Sequence, residues 1–114
     1  MSLTVQIEDA GEFEVLVLSG EVDLSTLPRF TDAVNRSVSQ GHQVVAIDLE
    51  MITVLDDAAL GIVLGVANRL RREHRELILI CSNERITRYL ESTGVASLIT
   101  VVPALSLINI DRNS

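Results

Sequence analysis

Acidic side chains dominate the residues able to do chemistry. Asp23, Asp48, Glu50, Asp56 and Asp57 each fall at or just beyond a short apolar run, where strand ends collect side chains into one site. Carboxylates grouped this way can hold a divalent cation or carry out general acid–base chemistry. No nucleophile–base pair accompanies them. The two histidines are poorly placed: His42 follows the glycine expected to stop a helix, and His74 sits in an Arg/Glu cluster, so both are expected to face solvent. Cys81 is the only cysteine, which excludes an intramolecular disulfide and argues against a cysteine-based zinc site; it reads as a buried thiol at a strand end. The expectation is therefore no catalytic residue, no metal, no cofactor and no enzyme.

Charge narrows the classes further. The formal net charge is −7, so the basic face needed to neutralise nucleic-acid phosphates is missing, and an acidic surface suits a protein partner instead. No lysine occurs, and all nine cations are arginines. A P-loop requires its phosphate-binding lysine, and a two-component receiver domain relies on one as well, so neither reading survives. With 114 residues, 47% of them hydrophobic, the chain can bury a core without staples, and residues 1–114 are expected to form one domain. The first residues lack the basic and apolar regions of a signal peptide, and no run approaches the length of a membrane span. A cytoplasmic location is expected.

Those residues need elements to position them. Leu3–Ile7 and Phe13–Leu18 alternate about a turn at Gly11, which predicts an N-terminal antiparallel hairpin. Ser19 to Thr26 reads as a turn-rich connector in which Ser25 or Thr26 caps a helix opened by Pro28 and stopped by Gly41. Phe30, Ala33, Val34 and Val38 form its inward stripe. Val44–Leu49 is a short, β-branched, nearly continuous apolar run, the mark of a central strand covered on both faces. Asp56 then caps a helix running through Arg72; Asp57 gains roughly 0.3–1 kcal/mol from the helix dipole, and Arg69, Arg71 and Arg72 complement its other end. Leu77–Ile80 predicts a strand, Glu84–Glu91 a helix stopped by Gly94, and Leu98–Val102 the last strand. Pro103–Ile110 fits a short helix or an extended tail, with Pro103 favouring the helix. The sum is an α/β fold with a mixed sheet of about five strands and three to four helices.

The connector Gly20-Glu21-Val22-Asp23-Leu24-Ser25-Thr26, the Val44–Asp48 strand, the segment Leu55-Asp56 through Leu60-Gly61, and Leu77–Cys81, in this order and spacing, are similar to the STAS domain of anti-sigma-factor antagonists. The resemblance covers nearly the whole chain. It implies a non-enzymatic switch that binds an anti-sigma factor, often a small serine kinase of the GHKL type, and so frees a sigma factor. In the family, phosphorylation of one hydroxyl, two residues after an aspartate at the start of a helix, ends that binding. Asp56 matches that aspartate, but Ala58 occupies the acceptor position and Ala59 replaces the family glycine. Alanine offers no hydroxyl. Asp57 carries one charge where phosphate would bring about −1.5 to −2, and it points about 100° away around the helix, which makes it a poor mimic.

Partner contacts are expected from Asp23, Leu24, Ser25 and Thr26, from Asp56, Asp57, Ala58, Ala59, Ile62 and Val66, and from Asn83 beside Glu84 at the next strand-to-helix turn. Ala58, Ala59, Ile62 and Val66 would form an apolar patch, since Ile62 and Val66 lie off the inward stripe of Leu60, Val63, Leu64 and Ala67. Burial by neighbouring elements explains the same four residues equally well. Asp56 and Asp57 also have a purely structural role as first-turn acids, and Ser25, Thr26 and Thr53 remain open as substitute acceptors. The expected partner is thus one protein, an anti-sigma factor, with no direct nucleic acid, no membrane span, and the chain itself a monomer or weak dimer. Two other readings stand beside it: a STAS accessory subunit docked on the ATPase of an ABC-type lipid transporter, and a small-ligand-sensing STAS module.

Overall fold

The computed structural model describes residues 2–9 and 12–108. Gly11, the expected hairpin turn, and Asn109 and Ile110, the end of the expected terminal segment, lie outside them. Five strands form one sheet in the order β1-β2-β3-β4-β5: β1 (Leu3–Asp9), β2 (Phe13–Val22), β3 (Val44–Leu55), β4 (Glu76–Ile80) and β5 (Thr100–Val102). Only β1 and β2 are antiparallel, with Leu3 opposite Gly20 and Asp9 opposite Glu14. The parallel connections run through α1 (Leu27–Ser39), α2 (Asp57–Arg72) and α3 (Glu84–Ser92). Strands that pair in chain order through crossovers of one hand place every helix on the same face. Accordingly one core cluster unites Leu16, Leu18, Val45, Ile47 and Leu79 with Phe30, Val34, Val63, Leu70 and Leu90 of the helices. The opposite face carries a smaller cluster, Val15, Ala46 and Ile80, against which Ile108 packs.

The inward stripe of α1 is as expected, with Phe30, Val34 and Val38 buried and Ala33 packed against them. Gly41 and Gly94 both take positive φ, the conformation that ends a helix at low cost. Ser19 to Val22 is not a turn: it continues β2, whose pairing with β3 shifts register twice, after Val17 and after Gly20. Gly20 permits this, since its φ is 110° and a Cβ there would lie 2.2 Å from the Ser2 carbonyl oxygen. The last strand is shorter than Leu98–Val102, because a 3-10 turn over Val95–Ser97 holds the chain until Thr100. After Pro103 there is one 3-10 turn, Leu105–Leu107, rather than a helix opened by the proline.

His42 departs from its expected exposure. It is mostly buried between the hairpin and α1, with Nδ1 3.6 Å from buried Glu14 and Nε2 3.8 Å from Asp9. The Ser37 hydroxyl donates to the other Glu14 oxygen at 2.6 Å, so the acid is held inside by a neighbour from α1. His74 is exposed, and Cys81 is a free buried thiol, as expected.

Candidate functional site

β2, β3 and β4 run in parallel, so the turns that follow them meet at one end of the sheet, the place where α/β folds collect their functional groups. The Asp56 amide donates to the Val22 carbonyl at 2.9 Å, which fixes the start of α2 beside the loop leading to α1. That loop is organised by Asp23. Its Oδ1 accepts the Ser25 hydroxyl at 2.6 Å and the Ser25 and Thr26 amides at 2.9 and 3.1 Å. The Ser25 hydroxyl, aided by these amides, holds the Asp23 carboxyl below the usual carboxylate range. Thr26 is buried: its hydroxyl accepts from the Asp23 amide and donates to the Glu21 carbonyl at 2.8 Å. Neither Ser25 nor Thr26 caps α1 with its side chain, because both are spent on closing the loop around Asp23. Leu24 stands at its tip, 73% exposed.

Asp56 occupies the N-cap position of α2 in extended conformation, but its side chain makes no capping bond; its carbonyl instead accepts from the Ala59 and Leu60 amides. Asp57 is exposed and reaches sideways to α3, where its carboxylate accepts a hydrogen bond from the Tyr89 hydroxyl. Burial first, then this bond and the charges of Asp57 and Asp56, push Tyr89 up to about 12, so it remains a donor throughout the physiological range. The Arg85 guanidinium donates to the Thr53 carbonyl, a second tie from α3 to the end of β3. Asn83 caps α3, accepting from the Arg85 and Ile86 amides at 2.9 and 3.2 Å. Ser82 donates through its amide and hydroxyl to Glu50 at 3.0 and 2.8 Å.

The strand-end acids are thus dispersed into separate structural bonds. Asp48 accepts from the Glu50 amide, Glu50 holds Ser82, Asp23 shapes its own loop and Asp57 meets Tyr89. Among the described residues no group of three or more His, Cys, Asp or Glu stands close enough to hold a metal ion.

Ala58 is exposed at the start of α2, but Ala59 is fully buried and Val66 is almost so, while Ile62 is half-buried against the core. An apolar patch of these four residues does not form. Neighbouring elements bury most of the second flank of the helix, and of the four Ala58 alone is exposed, with Ile62 half-buried. The edge that remains consists of Leu24 and Ser25, Asp56 to Ala58, and the Asn83 turn. Sequence reasoning missed Tyr89 and Arg85 as its ties. No local pattern links Tyr89 on α3 to an acid 32 positions away. Val54 and Met51, both exposed on the last part of β3, were also missed; that stretch runs beyond the pairing with β4, which ends at Asp48.

A parallel-stranded edge built from these turns, with all helices on one face and an N-terminal antiparallel hairpin, defines a class, and comparison with known proteins identifies it. The STAS domain family model matches residues 4–107, and the chain belongs to that family. The chain is similar to an anti-sigma-B factor antagonist of Listeria monocytogenes, 28% identical over 101 residues that span 89% of this chain and 88% of the relative. It is also similar to one of Staphylococcus aureus, 26% identical over 101 residues that span 89% and 94%. Among solved structures, an anti-sigma factor antagonist from Mycobacterium paratuberculosis superposes with a TM-score of 0.79 at 25% identity, covering 92% of this chain and 89% of the other.

Proposed function

We propose that this chain is an anti-sigma factor antagonist: it binds an anti-sigma factor through the edge formed by Leu24 and Ser25, Asp56 to Ala58 and the Asn83 turn, and thereby releases a sigma factor. The observation that carries the proposal is the exposed Ala58 at the start of α2, set beside the Asp23 loop by the Asp56–Val22 hydrogen bond, in a chain whose relatives bear that name. The protein acts by binding alone, in the cytoplasm, and the edge contains no group arranged for catalysis.

Control at this edge differs from the pattern the family resemblance implies. Ala58 cannot accept a phosphate, and Asp57 does not stand in for one because its carboxylate is turned to Tyr89 on α3. The edge therefore stays competent to bind without a phosphorylation cycle at position 58. Ser25, Thr53 and Ser82 are exposed hydroxyls nearby, and each is engaged within the fold, Ser25 on Asp23, Thr53 on the Gly20 carbonyl at 3.2 Å and Ser82 on Glu50 at 2.8 Å. Capture of partners on the immobilised chain from a lysate of its source cell, with the intact mass of the bait read afterwards, tests the proposal. An anti-sigma factor recovered with an unmodified bait is expected. Recovery of a transporter ATPase in its place would refute it.

A further inference from the structure

The hydrogen bond from Tyr89 to Asp57 joins two residues of unequal freedom. Tyr89 is half-buried, its ring packed against the core on a helix that also buries Ile86 and Leu90. That helix is fixed where it starts: Asn83 caps its first amides, and the Arg85 guanidinium donates to the Thr53 carbonyl at the end of β3. Packing therefore sets where the phenol oxygen stands. Asp57 is exposed, and a short surface carboxylate has several staggered orientations open to it. The tyrosine positions the acid, not the reverse.

Without this bond the carboxylate has another destination. The first amides of a helix find no acceptor within it, and the N-terminus attracts an anion with roughly half a positive charge. On α2 neither acid satisfies those amides with its side chain: Asp56 makes no capping bond, and Asp57 is turned to α3. A freed Asp57 carboxylate would fold back onto them, beside exposed Ala58. A partner seated on Ala58 would then have to strip water from that charge, which weakens docking unless the charge is paired.

We propose that Tyr89 is a positioning residue for the partner edge: its hydroxyl holds the Asp57 charge against α3 and so keeps the surface at Ala58 open to the anti-sigma factor. The proposal rests on the function proposed above and adds a second requirement to it. The start of α2 must carry no phosphate on residue 58 and also no loose carboxylate beside it, and Tyr89 meets the second requirement without touching the partner.

A double-mutant cycle on the full chain tests this, with affinity for the captured anti-sigma factor read by calorimetric titration and folding checked by circular dichroism. Tyr89→Phe should weaken binding about five-fold in the wild-type background and less than about two-fold in the Asp57→Asn background, because the hydroxyl acts only through the acid. Equal weakening in both backgrounds, as a merely structural hydroxyl would give, or unchanged or tighter binding by Tyr89→Phe, would overturn the proposal. A second readout needs no partner and so separates the proposal from the function on which it rests. As pH falls from about 7 to about 3.5, the Ala58 amide resonance should move about twice as far in Tyr89→Phe as in the wild-type chain, and adding Asp57→Asn should remove the difference. Equal movement in the two chains would overturn the positioning. If the wild-type chain binds no anti-sigma factor while the Ala58 contrast holds, the positioning of Asp57 stands and the proposed function falls.

Discussion

Asp57 and Tyr89 form the contact that most distinguishes this edge at the residue scale. An acid at the first position of a helix after an aspartate N-cap reads as a dipole-stabilising residue, and it has that position here, but its carboxylate is committed to α3. Tyr89 is the chain's only tyrosine and tryptophan is absent, so tyrosinate absorbance follows this one group. The wild-type chain should titrate near 12 and Asp57→Asn measurably lower. A titration at the ordinary tyrosine value of about 10 would show that the bond does not form. The sign for stability follows. The neutral phenol is favoured in the folded state, so its contribution is intact below about pH 10 and is lost as pH rises toward 12. Ala58 is the complementary case, a surface residue with no structural bond to lose. Ala58→Arg should leave the melting temperature nearly unchanged while weakening anti-sigma factor binding at least ten-fold, about 1.4 kcal/mol, as read by calorimetric titration. Unchanged affinity would remove Ala58 from the interface.

At the scale of elements, α2 separates what a sequence can and cannot disclose. Its start at Asp56–Asp57, its end at Arg72 and its main inward stripe were legible because caps, charges and helical period are local signals. Whether Ala59, Ile62 and Val66 faced solvent was not, because that depends on which elements pack on the second flank. Ala59 is buried next to exposed Ala58, which allows a direct contrast by thermal or chemical denaturation. Ala59→Leu should cost about 1–3 kcal/mol through overpacking, and Ala58→Leu less than about 0.5 kcal/mol. A similar contrast holds between α1 and the hairpin. Ser37→Ala should cost about 1.5–3 kcal/mol, because it strips a hydrogen bond from the buried Glu14 carboxylate, whereas a change at exposed Ser39 should cost little. The Glu14–Ser37 pair and the Asp57–Tyr89 pair span 23 and 32 positions, and no local spacing announces either. The bulge at Gly20 was misread for a different reason: Ser-Gly is ordinary turn chemistry, and only the close approach of the Ser2 carbonyl shows that the glycine serves a strand.

For the whole molecule, the ends of β2, β3 and β4 gather their turns at one end of the sheet, with acids spent on holding those turns in place, and this is the edge proposed to bind the partner. No helix among the described residues is long and apolar enough to cross a membrane. The central claim is that the partner edge binds an anti-sigma factor and that phosphorylation does not release it, because Ala58 lacks the hydroxyl and Asp57 is turned to Tyr89. The most direct measurement is calorimetric titration of the captured anti-sigma factor with this chain, before and after incubation of the mixture with ATP and magnesium, with the intact mass of the chain read at each stage. Saturable binding, equal affinity before and after, and an unchanged mass are the predicted result. A gain of one phosphate accompanied by loss of affinity, or no binding at all, would contradict it.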